Sequence, residues 1–407
     1  MEELSRRDAL RIGGALGALG ALGAASSAQA RPLWTWSAQG SVAGAGAGAD
    51  PRWVWDPEAD ELVASLLDRG DVPRVNALLR SWTRNDQPLP GELPADLRDF
   101  VERARQLPPW VDHGKLARSF DFTRRRGLYL GVLYAMASGM MSTVIPKEAR
   151  AVYYSYGGAN MKDRIAKTAK LGYDIGTHNA YAPDGEMTVT CVKTRLVHAA
   201  VRHLLPQSPQ WNQAAPEDIP ISQADIMVTW HSLATTVMQK LTEWEVPIPV
   251  EDSDAYLHSW QVTAHMLGVS DEYIPASWNE ADKQAEQVLH PILEPTPEGK
   301  DLADILLGLG AELDGSVLSR PLLGAFTRYV LGDQIADWLE IPREPVFDPM
   351  LQTFWRPFIA AREVGLHFPG SDETYWLFEE VLRKVVLVYL SEGQPINIEI
   401  PQVNRPS

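Results

Sequence analysis

The chain of 407 residues carries 53 acidic against 37 basic side chains, a formal charge of −16, on an ordinary apolar fraction of 45%. That surface excludes nucleic acid and anionic membranes as partners, because both demand clustered Lys and Arg. Cys191 is the only cysteine, which excludes an intramolecular disulfide, thiolate zinc, iron–sulfur clusters and a C-x-x-C-H attachment site.

Residues 1–30 read as a twin-arginine export signal. Arg6-Arg7 precedes an uncharged stretch from Ile12 to Ala25, and Ala28-Gln29-Ala30 supplies a small-x-small cleavage site. The stretch is too short and too rich in Gly and Ala for a permanent membrane span. The twin-arginine machinery carries folded cargo, so the expectation is a secreted protein beginning at Arg31, folded in the cytoplasm around a cofactor. Trp34, Trp36, Trp53 and Trp55 crowd the start of that chain and are expected to pack onto the body.

The rest reads as helical almost throughout, which predicts an all-α fold. Residues 31–114 form an N-terminal extension with helices at Glu58–Leu67, Pro73–Arg84 and Asp96–Gln106. Residues 115–330 form the central core, and residues 331–407 form C-terminal helices ending in an extended tail from Asn397. Within the core, Ser222 and Asp225 make a capping-box pattern opening one helix through Met238, and the next runs from Asp254 to Leu267. The C-terminal helices are Asp333–Leu339, Met350–Val364 and Asp372–Leu390. A monomer is expected.

Three core segments carry candidate chemistry. Glu148 follows Ile145-Pro146-Lys147, where proline suits a first turn and an acid suits the positive end of the helix dipole. It is either a helix-start residue or a general base, the latter if it shares a cavity with the next helix. That helix runs from Met161 to Leu171, with Asn160 as cap, Asp163 in the first turn and Gly172 as stop. Arg164, Lys167, Thr168 and Leu171 fall on one face, which meets either water or a site. A third helix runs from Thr188 to Leu205, stopped by Pro206.

On that third helix His198 lies three residues after Arg195 and four before Arg202. Imidazole can ligate haem iron and guanidinium can pair with propionates; the competing reading is a hydrogen-bonded core histidine. His203 lies about 140° around the helix from His198, so the two cannot grip one ion. His231, His258 and His265 read as structural, and His113, His178, His290 and His367 fall near loops or helix ends. There is no H-E-x-x-H, paired E-x-x-H, G-x-S-x-G or phosphate-loop motif, leaving hydrolase and nucleotide-dependent readings without support.

Taken together, the twin-arginine signal, Pro146-Lys147-Glu148, Met161-Lys162-Asp163-Arg164-Ile165-Ala166-Lys167-Thr168 and Thr194-Arg195-Leu196-Val197-His198 resemble the latex-clearing, or bacterial rubber oxygenase, family over essentially the full chain. The resemblance implies a globin-like helical core holding haem b, with extra helices at both ends. His198 matches the proximal iron ligand, and Lys167 matches a distal ligand of a closed state. That role suits a buried lysine flanked by cations, since the amine must be neutral to donate. Glu148 matches the catalytic base; Arg164 and Thr168 match residues of the distal pocket. Assigning Arg195, Arg202 and His203 to the haem edge extends the resemblance by spacing alone. The implied reaction is dioxygen-dependent internal cleavage of cis-1,4-polyisoprene to oligoisoprenoids with aldehyde and ketone ends. A haem oxygenase acting on a smaller alkene or terpenoid, and a non-catalytic haem or apolar-ligand carrier, are the alternatives.

Overall fold

The computed structural model describes residues 38–405 apart from 47, 216–218, 313–318 and 367–370, all within one compact unit, Trp36–Ser407. The export signal, Trp34, Trp36 and His367 lie outside the described residues. Among those described the fold is all-α, as the periodicity predicts, with only two isolated bridges, Ser41–Pro275 and Ser155–Asn404.

The N-terminal helices are α1 (Pro57–Asp68), α2 (Val72–Leu79) and α3 (Ala95–Ala104). Asp56 caps α1 by accepting from the Ala59 amide at 3.2 Å, and Pro57 takes the first position, where no N–H is needed. The second helix stops short of the expected Arg84. The Gln87 side chain accepts from the Thr83 amide at 3.0 Å and the Arg84 amide at 3.3 Å, drawing the chain into a turn that buries Trp82. Leu62 and Leu66 of α1, Leu97 and Phe100 of α3, and Val192 and Leu196 of the later α7 (Met187–Leu204) form one cluster. Each such burial contributes about 1.5–3 kcal/mol. The extension is thus built into the wall that carries His198.

The core starts with α4 (His113–Leu133), which passes through a π-helical stretch, Tyr134–Gly139, and a 3₁₀ turn, Ser142–Val144. The 32-residue run His113–Val144 is long and apolar enough to cross a membrane by length and composition; more than half of its apolar window is buried, at 56%, which marks a core helix. Then come α5 (Pro146–Tyr154), α6 (Met161–Asp174), α7 and α8 (Pro209–Ala214). Gly172 does not stop α6 as expected; its backbone stays helical and the helix runs on until Asp174, which Lys170 grips at 2.8 Å.

The capping box forms as expected at Ser222 and Asp225, but the predicted single helix is two, α9 (Gln223–Leu233) and α10 (Thr235–Glu243). At the break the Ser232 hydroxyl bonds the Thr229 carbonyl and the Thr235 hydroxyl bonds His231 Nδ1, side-chain bonds that loosen the turn. Next, α11 (Val250–Met266) starts four residues before the expected Asp254, behind Pro249, and packs extensively on α4. The remaining helices are α12 (Trp278–Val288), α13 (Pro297–Glu312), α14 (Arg320–Leu331), α15 (Asp333–Trp338), α16 (Phe347–Gly365) and α17 (Ser371–Leu390). The extended tail is tied down: Asn76 exchanges two bonds with the Ile400 backbone, at 2.9 and 3.0 Å, and Asn404 donates to Leu204 O at 2.6 Å.

Candidate active site

Pro146 opens α5 and places Glu148 in its first turn. Thr229 Oγ1 on α9 donates to Glu148 Oε2 at 3.2 Å, and one residue earlier Lys147 Nζ meets Asp225 Oδ2 at 3.1 Å. Two consecutive residues of α5 therefore grip two positions one turn apart on α9. Burial pushes the Glu148 carboxyl up to about 7; the Thr229 bond and Arg164 oppose the rise, while Asp225 adds to it. At neutral pH this group is poised both to accept and to release a proton.

On α6 Arg164 is enclosed by protein, and burial lowers the proton affinity of its guanidinium against the pull of Glu148. One turn on, Lys167 differs from the buried, cation-flanked residue expected. Its side chain is 31% exposed and pairs with Asp163 at 2.7 Å, four residues back. Thr168 is exposed and returns its hydroxyl to the Arg164 carbonyl at 3.2 Å.

His198 sits on α7 in a setting that keeps it neutral. Burial, then the charges of Arg202 and Arg164, push the imidazole down to about 3, and Asp56 opposes them only in part. Its Nδ1 is buried without a hydrogen bond. The flanking arginines are committed to α1. Arg195 binds both oxygens of Asp56, and Arg202 donates to Asp60 at 2.6 Å and to Ile221 O at 3.0 Å, leaving Nη2 buried and unpartnered. His203 lies apart on the outer side of the helix, 3.9 Å from Asp68. The structure thus brings Glu148, Arg164 and His198 into one electrostatic neighbourhood, with Arg164 acting on both of the others.

His231, His258 and His265 hold structural positions. His231 has both ring nitrogens paired, Nδ1 with Thr235 Oγ1 at 2.8 Å and Nε2 with Gln284 Oε1 at 2.7 Å. His258 Nε2 accepts from the Asp112 amide at 2.8 Å, and His265 Nδ1 meets Asp271 at 2.6 Å. Sequence reasoning missed Thr229 and Asp163 as partners of Glu148 and Lys167. The Asp163–Lys167 spacing of four on one helix is a readable signal; nothing in the sequence brings Thr229 to Glu148.

The residues present suit a haem. No cluster of three metal-ligating side chains exists among the described residues, as a zinc or di-iron site would need. A porphyrin brings four nitrogens of its own and asks the protein for one or two. His198 offers a neutral buried imidazole. Glu148, Arg164 and His198 are each half-buried, with protein packed around their charged or ring ends.

A sequence model of the family described as ER-bound oxygenase mpaB/B'/rubber oxygenase, catalytic domain, matches residues 124–361. The chain is 60% identical over 408 residues to the rubber oxygenase of Streptomyces sp. (strain K30), covering 100% of both. It also resembles the solved structure of latex clearing protein LCP in the closed state, with a TM-score of 0.83 and 59% identity over 91% of this chain and 100% of that one. Matched along its whole length to one relative and through its helical core by the family model, the chain belongs to the rubber oxygenase family.

Proposed function

We propose that this chain is a secreted, haem b-dependent dioxygenase that cleaves the double bonds of cis-1,4-polyisoprene internally. The observation that carries the reading is the placing of Arg164 where its charge acts on both Glu148 and His198 in a chain of this family. Haem b, when bound, supplies the redox centre for dioxygen. His198 would hold it through the imidazole, and Lys167 would be a second, reversible donor when released from Asp163.

The protein's own part is proton handling and orientation. A carboxyl near neutrality, held at one oxygen by Thr229, leaves the other free to take an allylic proton and return it. The Arg164 charge stabilises the ionised carboxylate before the proton is taken and after it is returned. Each double bond joins a CH carbon to a methyl-bearing carbon. Adding both atoms of O₂ yields an aldehyde and a ketone without an external reductant. Export by the twin-arginine route suits a substrate that cannot enter the cell.

The test is incubation of the purified protein with polyisoprene latex, in air and without oxygen. Oligoisoprenoids bearing both end groups should form in air alone, and Glu148→Gln should retain haem while slowing cleavage. Cleavage of short isoprenoids with no action on latex would favour the small-alkene reading. Haem binding with no cleavage of either would favour the carrier.

A further inference from the structure

We propose that Thr229 and Asp225, one turn apart on α9, are positioning residues for Glu148: Thr229 orients its carboxylate through Oε2, and Asp225 holds the neighbouring Lys147 and so fixes the first turn of α5. The inference rests on Glu148 being the base and assigns the control of that base to a different helix. The geometry is a two-point clamp. Lys147–Asp225 closes at 3.1 Å and Glu148–Thr229 at 3.2 Å, so the first turn of α5 is held in register on α9. Asp225 is itself fixed, because Oδ2 also accepts from the Ser222 amide at 2.8 Å in the capping box. The Thr229 bond favours the charged carboxylate, while the Asp225 charge, paired with Lys147, disfavours it, so the same helix exerts two opposite influences.

The other charges around Glu148 are accounted for. Arg164 reaches it from α6. From α13, Glu298 accepts from the Tyr154 hydroxyl at 2.7 Å and lies 3.8 Å from Arg150, Lys300 pairs with Glu340, and Asp304 pairs with Arg320; Asp301 is exposed. Arg202 of α7, the helix that meets α5 through Val201 and Ala151, is spent on Asp60. Neither α8 nor the 3₁₀ turns Ser142–Val144 and Tyr156–Ala159 carry a charged side chain. Apart from Arg164, the α9 pair is therefore the part of the surroundings that acts on Glu148.

The test is the pH dependence of kcat/KM on polyisoprene for the haem-loaded protein and four variants, with haem content read from the visible spectrum of each. Thr229→Ser should keep the wild-type profile. Thr229→Val removes the donor to the charged form and should move the acidic limb up by about 0.5–1 pH unit, the equivalent of one ordinary hydrogen bond. Asp225→Asn removes the opposing charge while keeping an acceptor for Ser222, and should move the limb down. Opposite displacements at matched haem content are the expected result, because mere structural damage lowers the plateau without moving limbs in opposite directions. Limbs that coincide with wild type, or move the same way, overturn the proposal. Glu148→Gln separates the two levels. If it abolishes the limb while the α9 variants leave theirs in place, only the α9 assignment fails; if the limb persists in Glu148→Gln, the base assignment fails and the α9 assignment falls with it.

Discussion

Replacing Glu148 by glutamine should stabilise the protein at high pH and leave it unchanged at low pH. Burial holds the folded-state carboxyl at about 7 against an ordinary value of 4.5. Protonated Glu148 thus favours the fold. Its contribution is complete below 4.5 and lost as pH rises through about 7, a span worth roughly 3 kcal/mol at 1.36 kcal/mol per pH unit. Glutamine is neutral throughout and loses nothing. Urea denaturation of wild type and Glu148→Gln at matched haem content, from pH 4 to 9, should show curves that meet at the acid end and separate by up to about 3 kcal/mol at the alkaline end. A difference that stays flat across the range would show that this carboxyl ionises at its ordinary value, and would remove the argument that makes it a base at neutral pH. Such a destabilised group is the kind of cost a working site retains.

Three other substitutions probe separate parts of the account. His198→Ala should lose most bound haem, read from the visible band of the purified protein; full occupancy with an unchanged spectrum would remove His198 from the ligand role. Asp163→Asn deprives Lys167 of the carboxylate that holds it at 2.7 Å, and should shift the resting spectrum toward a second nitrogenous ligand, a shift that Lys167→Ala abolishes. If Asp163→Asn leaves the spectrum as it was, Asp163 does not hold the lysine. Arg362→Met leaves Glu379, buried with it and bonded to the Leu128 amide at 2.9 Å, without its cation. This should cost about 3–5 kcal/mol in urea titration; a loss under 1 kcal/mol would mean that the pair does not tie α16 to α17.

What the sequence discloses follows from the range of the forces involved. The helices are readable because caps and apolar periods are local: Asn160 caps α6, and Ser222 with Asp225 opens α9, as their spacing predicts. The misreadings arise where side chains compete with the backbone, at Gln87 beyond α2 and at Ser232 and Thr235 between α9 and α10. At the site, residue types on one helix face were legible, but their engagements were not. Arg195 and Arg202 look like free cations beside His198, yet their partners Asp56 and Asp60 lie more than a hundred residues earlier. Lys167 looks buried beside other cations, and its ion pair with Asp163 leaves it partly in the open. Glu148 takes its proton affinity from burial and from α9, neither of which a local pattern can encode.

The central claim is that an imidazole kept neutral at His198 serves a haem. It meets its most direct test in a pyridine haemochrome assay of protein folded in the cytoplasm and purified without added cofactor. The account predicts one b-type haem per chain, lost in His198→Ala. A colourless wild-type protein that also takes up no added haemin would contradict it, and would return His198 to the ranks of buried structural histidines alongside His231.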